Sequence, residues 1–442
     1  MTKNKFTKIF ILALDGTPFS FLKKMIASGK MPHFAKLAKQ NSFKRMDSVI
    51  PPVSSVAWAS FLTGKKPEEH GILSFTERNP QTMDWFTPNA GHLKCKTIVE
   101  KISDLGKRVF IMNVPATFPP KPVNGISICG FLGNDLLKGT YPKNEGKFLV
   151  DQGYRIDADT ALAKTDFPAF LQDLKSVLEK RIEMMWHYFE QGEWDFFMTH
   201  IMETDRLHHF TWEFMETGNP HFVDLYEKFY GRLDELIGQI VSTIDENTAL
   251  MLLSDHGFTT LKKEVYLNNW LWQNDYLRFT KPVPQTLHDI HPQSKAYALY
   301  PGRIFVNLKG REKNGSVEPG VEYDTLIAEL EQKLFEMADP LTGEKIIKKV
   351  FKGQELYGNP SKLELGNENS FSSFADLVAI AHDGYDLKGQ LWNKDLFEKT
   401  VFNGMHTFDD AFVLFTGSDI DKNNISIADL SEFILKLFNR NI

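Results

Sequence analysis

The chain contains 442 residues, of which 42 % are hydrophobic and 24 % are charged. This composition is typical of a globular protein and excludes a disordered or collagen-like chain. The formal net charge is −6, so no global positive field favours nucleic acid as a partner. The two cysteines, Cys95 and Cys129, cannot form a disulfide framework and suit a reducing compartment.

The N-terminus combines a basic segment with a short apolar run, Ile9–Leu14, which ends at Asp15. A secretory signal peptide needs an apolar region of about 7–15 residues and a small-residue cleavage site. No stretch of the chain approaches the roughly 18–20 apolar residues of a membrane helix. We therefore predict a buried strand at Lys8–Leu14, a cytoplasmic location and no membrane partner.

Strands and helices alternate along most of the chain. In chain order, apolar runs and helical periodicity predict strand Lys8–Leu14, helices Phe21–Ala27, Phe34–Ala38 and Ser55–Thr63, strand Arg108–Val114, helix Phe167–Gln191, strand Asp195–His200, helix Val223–Thr243, strands Ala249–Ser254 and Ala411–Phe415, and helix Ile427–Asn439. This alternation predicts an α/β fold with a doubly wound, mostly parallel sheet and helices on both faces.

The pattern changes between about residues 265 and 400, where prolines and glycines interrupt it. Ala296–Tyr300 and Arg303–Leu308 predict an antiparallel hairpin around a Pro-Gly turn, and a helix follows at Tyr323–Met337. We therefore predict a catalytic core formed by residues 1–264 and 400–442. Residues 265–399 would form an inserted α+β cap subdomain that sets substrate specificity.

Four groups of potential metal ligands lie close to predicted strands, and ligands of open α/β sheets bind beyond the carboxyl ends of the strands. The groups are Asp15, Asp205 with His209, Asp255 with His256, and His406. Asp205 and His209 are four residues apart, so they share one face of a helix. Carboxylates and imidazoles together suit zinc. Each group alone also fits an ordinary turn aspartate, ion pair or buried histidine.

A candidate nucleophile lies in the segment Pro51–Gly64. Two prolines stiffen the approach to a helix that we predict to begin at the two serines, Ser54 and Ser55. A helix N-terminus suits a phosphate group, because its N–H groups are free and its dipole favours negative charge. The alternative is that one of these serines merely caps the helix.

Taken in order, these motifs resemble the alkaline phosphatase superfamily, and most closely its type I phosphodiesterase/nucleotide pyrophosphatase family. The motifs are Asp15, Pro-Pro-Val-Ser54 with Thr63–Ile72, Asp205 with His209, Asp255-His256-Gly257 and Gly404-Met405-His406. The resemblance covers nearly the whole chain and includes Gly302–Glu312, which looks like the cap hairpin of that family.

The resemblance implies a site for two divalent metal ions, usually zinc, with manganese as an alternative. It implies the ligands Asp205, His209 and His406 for one ion, and Asp15, Asp255 and His256, with Ser54 beside them, for the other. We favour Ser54 over Ser55 because it lies ten residues before Gly64, where the family carries its nucleophile. The implied reaction cleaves a phosphodiester or pyrophosphate of a small, nucleotide-like substrate through a phosphoseryl intermediate, which water then hydrolyses.

The sequence leaves two alternatives open. One is a phosphomonoesterase or phosphomutase of the same superfamily, which would need further positive charge from candidates such as Arg206, Arg303 and Arg311. The other is a non-catalytic binding protein on this fold, which predicts loss of a ligand or the nucleophile, although all seven positions are filled.

The family often has asparagine where this chain has Phe75, which argues against nucleotide-type recognition. Packing or supporting roles are expected for His70, His200, His208 and His382.

Overall fold

The computed structural model describes residues 6–133, 135–358, 374–417, 420 and 424–439. Its strands are β1 (Lys8–Leu14), β2 (Ser42–Met46), β3 (Glu77–Asn79), β4 (Asp84–Phe86), β5 (Val109–Val114), β6 (Gly125–Cys129), β7 (Thr140–Tyr141), β8 (Phe196–Ile201), β9 (Thr248–Leu253), β10 (Gly257–Thr260), β11 (Lys263–Tyr266), β12 (Ala296–Leu299), β13 (Arg303–Val306), β14 (Ile347–Lys352), β15 (Leu377–Ala381), β16 (Tyr385–Lys388), β17 (Phe397–Glu398), β18 (Gly404–Thr407) and β19 (Ala411–Phe415). Its α-helices are α1 (Phe19–Ala27), α2 (Pro32–Gln40), α3 (Ser54–Thr63), α4 (Pro67–His70), α5 (Ile98–Asp104), α6 (Asn144–Asp151), α7 (Leu162–Thr165), α8 (Phe167–Glu190), α9 (Glu203–Glu216), α10 (Pro220–Thr243), α11 (Leu267–Gln273), α12 (Val321–Glu336), α13 (Gly353–Tyr357) and α14 (Leu430–Asn439).

The chain divides into two compact units. The first unit comprises Met1–Ile72, Asn89–Thr260 and Val401–Ile442, and the second comprises Leu73–Pro88 and Leu261–Thr400. The sequence analysis placed the inserted region at residues 265–399 and assigned residues 73–88 to the core. In the structure, residues 73–88 belong to the second unit instead.

The first unit is built on an eight-stranded sheet with the strand order β2-β19-β9-β1-β8-β5-β6-β7. Strands β9, β1, β8, β5 and β6 run parallel to one another, whereas β19 and β7 run in the opposite direction next to them. Strand β2 pairs antiparallel with β19 at the edge. The predicted fold class, a mostly parallel doubly wound sheet, is confirmed. Ile9–Leu14 of the central strand is buried throughout, as its continuous apolar sequence predicts.

Helices cover both faces of this sheet. Along β1, Phe10, Leu12 and Leu14 pack into a cluster with residues of α8 and α10. The alternating residues Ile9 and Ile11 face the opposite side, because successive side chains of a strand point to opposite faces. There α5 packs against β5, and α3, α5 and α14 pack together. Neither the 24-residue helices nor any other described helix is long and apolar enough to cross a membrane.

Some helices begin earlier than their periodicity indicates. Helix α10 starts at Pro220 rather than at the predicted Val223, because the Asn219 side chain accepts a hydrogen bond from the N–H of His221. An asparagine cap followed by proline is a standard helix start. The sequence therefore contains the helix start, Asn219-Pro220, but this dipeptide precedes the first apolar residue of the helical periodicity.

The register of the central strands brings their carboxyl ends together. Leu14 at the end of β1 pairs with Ile201 at the end of β8, and Ala13 pairs with Leu253 at the end of β9. The segments that follow these three neighbouring strands therefore leave the sheet at one edge. In open α/β sheets this edge is where ligands bind.

The second unit contains smaller sheets. Strands β12, β13, β15 and β14 form an antiparallel sheet, and β3 and β4 form a hairpin. A mixed sheet contains β11, which pairs parallel with β16 and antiparallel with β17. The antiparallel pairing of β12 with β13 is the hairpin that the sequence predicts around Pro301 and Gly302. The helix predicted at Tyr323–Met337 is α12, which begins two residues earlier.

Two buried ion pairs hold residues 73–88 within the second unit. Arg303 contacts Glu77 at 2.8 Å, and Arg78 contacts Glu312 at 2.6 Å, with both arginine side chains fully buried. The Arg78 guanidinium also lies 4.0 Å from the ring centroid of Phe305. Partners this far apart in the sequence leave no local pattern, so sequence reasoning missed this part of the second unit.

We expect Arg303→Met to lower the free energy of unfolding by about 3–5 kcal/mol, because it leaves the buried Glu77 carboxylate without its charged partner. Urea denaturation of wild type and variant measures the difference. The double variant Glu77→Gln, Arg303→Met should recover part of the loss, since it removes the unpaired charge. A loss below about 1 kcal/mol in the single variant would contradict this account.

Candidate metal centre

The elements of the first unit bring the predicted ligands to one edge of the central sheet. Asp15 directly follows β1, and Asp255 and His256 follow β9. Helix α9 starts two residues after β8 and carries Asp205 and His209 on successive turns. These residues meet because their three strands are parallel neighbours that end in register.

Asp15, Ser54, Asp255 and His256 form the first donor set. The Ser54 Oγ atom lies 3.4 Å from Asp15 Oδ1 and 3.2 Å from His256 Nε2. His256 Nε2 lies 3.5 Å from Asp15 Oδ1 and 3.4 Å from Asp255 Oδ2. All four residues are buried. Four donor atoms therefore surround one small space.

Asp205, His209 and His406 form the second donor set. The Asp205 Oδ1 atom lies 3.4 Å from His209 Nε2 and 3.3 Å from His406 Nε2, and the two Nε2 atoms are 3.0 Å apart. His406 lies in strand β18, where it pairs with Phe258 of β10. A strand this short forms only because a distant partner pairs with it, so its local sequence does not reveal it.

The two donor sets adjoin one another. The rings of His256 and His406 stack with centroids 3.6 Å apart. The ligand atoms of Asp205, His256 and His406 all lie within 4.8 Å of one another, as do those of Asp15, Asp255 and His256. The structure thus brings all seven predicted site residues into one cluster.

Hydrogen bonds orient the three histidines. In each, Nδ1 faces a backbone carbonyl: the pairs are His256 with Gly257 at 3.0 Å, His209 with Gly404 at 3.2 Å, and His406 with Pro52 at 3.0 Å. Because a carbonyl only accepts, Nδ1 carries the proton in the neutral ring, and Nε2 presents its lone pair to the donor set. This arrangement is typical of metal-binding histidines.

One oxygen of each carboxylate is held by a neighbouring donor. Asp15 Oδ2 lies 2.7 Å from His200 Nε2 and 3.0 Å from Trp58 Nε1. Asp255 Oδ1 accepts a hydrogen bond from the Gly16 N–H at 3.1 Å. Asp205 Oδ2 accepts one from Arg206 Nη1 at 3.0 Å. The opposite oxygens of Asp205 and Asp255 are buried and have no hydrogen-bond partner among the described residues. Buried carboxylate oxygens are costly to leave unpaired, so these two atoms point to an absent ligand.

The spacing and chemistry of both sets fit divalent cations. Tetrahedral zinc, with bonds of about 2.0–2.1 Å to nitrogen and oxygen, separates neighbouring ligand atoms by about 3.3–3.4 Å. The distances between the donor atoms given above range from 3.0 Å to 3.5 Å. Mixed imidazole and carboxylate donors suit zinc better than magnesium or calcium, which prefer oxygen ligands throughout.

Burial is the largest single influence on the pKa of Asp255, Asp205, His256 and His209. Burial and the adjacent Asp15 carboxylate raise the pKa of Asp255 well above its usual range. Burial acts in the same direction on Asp205, but His209, His406 and Arg206 outweigh it and hold the pKa of that carboxyl well below its usual range. Burial lowers the pKa of His256 to about 3 and that of His209 to about 4, so both rings are neutral near pH 7.

Gly16 is required by close packing next to the first donor set. Its φ is +61°, and an added Cβ would lie 2.7 Å from the Phe258 ring and 3.0 Å from the His256 ring. Glycine adopts this backbone conformation without a steric penalty. The absence of a side chain thus lets the Gly16 N–H reach Asp255 while His256 packs against the turn.

Ser54 is the first residue of helix α3, one position earlier than predicted. Val53 occupies the N-cap position, so the capping role considered for Ser54 and Ser55 is wrong. Among the described residues, the N–H groups of these two serines have no acceptor, whereas those of Val56 and Ala57 bond to Val53. The helix therefore presents two free donors beside the nucleophile candidate.

Two of the four histidines for which packing or support was expected, His208 and His70, make buried hydrogen bonds outside the two donor sets. His208 lies between the Gly16 carbonyl at 3.0 Å and the Tyr230 hydroxyl at 2.8 Å. His70 bonds to Ser60 Oγ at 2.9 Å and accepts from the Ile72 N–H at 3.1 Å. His382 belongs to the second unit. His200 differs from these, because it contacts the Asp15 carboxylate directly.

Sequence reasoning missed the side chains that hold the ligands. Arg206 donates a hydrogen bond from Nη2 to Asp157 at 2.6 Å and another from Nη1 to Asp205. Trp58 lies four residues after Ser54 on the buried helix α3, and its indole N–H reaches Asp15. Apart from the position of Trp58 one helical turn beyond Ser54, no spacing in the sequence pointed to these partners.

The fold and this cluster define a member of the alkaline phosphatase superfamily. Residues 9–409 match the family model of type I phosphodiesterase/nucleotide pyrophosphatase, and the chain belongs to this family. It is accordingly a hydrolytic enzyme of the phosphodiesterase/pyrophosphatase class. The family that the sequence motifs suggested is therefore confirmed.

Solved structures share the fold at low sequence identity. Phosphonoacetate hydrolase from Sinorhizobium meliloti 1021, in complex with phosphonoformate, superposes with a TM-score of 0.64 at 14 % identity, covering 98 % of this chain and 96 % of that one. Murine ectonucleotide pyrophosphatase/phosphodiesterase 5 superposes with a TM-score of 0.55 at 14 % identity, covering 98 % and 95 %. These likenesses establish the fold.

One curated human relative matches a shorter segment. The catalytic subunit of GPI ethanolamine phosphate transferase 3 from Homo sapiens is 28 % identical over 131 residues. The match covers 29 % of this chain and 10 % of the human protein. This chain therefore corresponds to only a small part of that relative.

Proposed function

We propose that this chain is a two-metal phosphohydrolase that cleaves a phosphodiester or pyrophosphate bond of a small molecule through a phosphoseryl intermediate on Ser54. The observation that carries the proposal is the position of Ser54 Oγ, 3.4 Å from Asp15 Oδ1 and 3.2 Å from His256 Nε2. Membership of the phosphodiesterase family supports the same reaction class.

The first and second donor sets would each hold one divalent cation, with zinc favoured by their mixed nitrogen and oxygen ligands. When bound, such cations lower the pKa of a serine hydroxyl and offset the charge of a departing oxygen. The two unpaired buried oxygens, Asp205 Oδ1 and Asp255 Oδ2, support one cation in each set.

Ser54 would act as the nucleophile. Its Oγ atom forms a bond to phosphorus while the bond from phosphorus to the leaving oxygen breaks, and the hydroxyl proton passes to solvent water as the new ester forms. Water then attacks the same phosphorus and releases Ser54 with its proton restored. The free N–H groups of Ser54 and Ser55 would donate to a non-bridging oxygen, whose negative charge the helix N-terminus favours.

The pairing of three arginines favours a diester over a monoester. A phosphomonoester carries a second negative charge, for which the sequence offered three candidate partners. Each of these guanidinium groups already contacts a carboxylate: Arg206 with Asp157, Arg303 with Glu77, and Arg311 with Asp376, all at 2.6–2.8 Å.

The non-catalytic alternative is disfavoured because all seven site residues are present and clustered.

The test combines metal analysis with two model substrates. We expect about two zinc or manganese ions per chain and faster hydrolysis of bis-p-nitrophenyl phosphate than of p-nitrophenyl phosphate. Protein stripped by a chelator and then reloaded serves as the control for metal dependence. A preference for the monoester would favour the phosphomonoesterase alternative. Absence of both metal and activity after reloading would favour a binding protein.

A further inference from the structure

We propose that His200 is a positioning residue that, together with Trp58, fixes the Asp15 carboxylate in the orientation needed to bind the cation beside Ser54. The inference rests on the proposed function, because it assigns His200 a role in ion binding by the first donor set. It goes beyond the ligands themselves, because it gives a defined role to a histidine for which the sequence predicted only packing or support.

His200 and Trp58 both bind the same oxygen of Asp15. The His200 Nε2 atom lies 2.7 Å and the Trp58 Nε1 atom 3.0 Å from Asp15 Oδ2. All three side chains are completely buried. With Oδ2 occupied by two donors, Oδ1 is the oxygen left to face Ser54 and His256. The pair thus enforces binding through a single, defined oxygen.

The unpaired Nδ1 atom of His200 indicates that the imidazole ring occupies this position for its contact with Asp15. Since an ionised carboxylate only accepts, Nε2 donates to Asp15 Oδ2. The other ring nitrogen, Nδ1, is buried and has no hydrogen-bond partner among the described residues. A buried polar atom without a partner lowers stability, and an apolar side chain of similar size would avoid this cost.

The scaffold holds the His200 ring in place. His200 lies in β8 and pairs with Ala13 of β1, two residues before Asp15. Its ring packs edge-to-face against Trp58, with centroids 4.9 Å apart. Asp255 is oriented by a backbone N–H and Asp205 by a paired arginine, whereas the orientation of Asp15 depends on two aromatic side chains, His200 and Trp58.

The test measures metal affinity in purified variants of the full chain. His200→Phe removes the donor but keeps an aromatic ring, whereas His200→Gln retains an N–H donor at a similar reach. Competition with a chelator for Zn²⁺ should show that His200→Phe loses about 10–100-fold in affinity for one of two ions. His200→Gln should lie closer to wild type. We expect a parallel fall in kcat, because the weakened ion is the one beside Ser54.

His70→Gln is the matched control, because His70 is also a buried histidine of the first unit but has no contact with either donor set. It should change thermal stability without changing Zn²⁺ affinity. Unchanged affinity for both ions in His200→Phe would overturn the inference. A wild-type protein that binds no Zn²⁺ would instead overturn the proposed function. If His200→Phe does not fold, Trp58→Phe decides, because it removes the other donor to Asp15 Oδ2, and wild-type Zn²⁺ affinity in that variant would reject the inference.

Discussion

Replacing Ser54 with alanine should lower the hydrolysis of bis-p-nitrophenyl phosphate by about 10³-fold or more, because the variant lacks the atom that forms the covalent ester. The effect should appear in kcat, since the donor groups that bind the substrate remain. The Ser54→Ala protein should still retain its metal ions, because Asp15, Asp255 and His256 stay in place. Steady-state kinetics and metal analysis of the same preparation measure both results.

Ser55→Ala is the control that distinguishes the two neighbouring serines. Its Oγ atom is buried without a hydrogen-bond partner among the described residues, and it makes no contact with the ligands comparable to that of Ser54. We expect Ser55→Ala to lose less than about tenfold in kcat, since its backbone N–H is retained. Mass spectrometry of acid-quenched wild-type enzyme should find a phosphoryl adduct on the peptide carrying Ser54. An equal loss in both variants, or an adduct on Ser55, would contradict the assignment.

The sequence predicts the part of the fold that depends on local patterns. Parallel strands buried on both faces are continuous apolar runs, so Ile9–Leu14 and Ala249–Leu253 were recognisable without any partner. Asp15 and Asp255 stand out for the same reason, because a charge directly after a buried strand is costly unless it has a partner. Neighbouring parallel strands then bring these charges to one edge, which makes the site predictable in outline.

The contacts that orient the ligands could not be predicted from the sequence. His200 is the penultimate residue of β8 and Asp157 lies in a loop, and neither shares a periodicity with the ligand that it supports. Their roles arise from side-chain directions, which become defined only when β8 lies beside β1 and Arg206 reaches Asp157. The place of residues 73–88 in the second unit was not predicted for a similar reason, since the ion pair of Glu77 with Arg303 spans more than two hundred positions.

Asp205→Asn should remove one of the two metal ions and lower kcat by about 10³-fold. The reason is that Asp205 Oδ1 lies 3.4 Å from His209 Nε2 and 3.3 Å from His406 Nε2, and the Asp205 carboxylate carries the only negative charge of the second donor set. Neutralising it weakens the attraction for a cation, and a cation here is worth several kcal/mol of stabilised transition-state charge. Metal analysis of the variant should give about one ion per chain, held by the first donor set.

Glu179→Gln provides the matched control for this variant. Glu179 also pairs with an arginine of the first unit, Arg232 at 2.9 Å, but belongs to neither donor set, so both ions and kcat should stay close to wild type. Retention of both ions in Asp205→Asn would show that His209 and His406 suffice as ligands. Loss of both ions would show that the stacked rings of His256 and His406 make the two donor sets a single binding unit. Loss of one ion alone is the outcome that separate donor sets require.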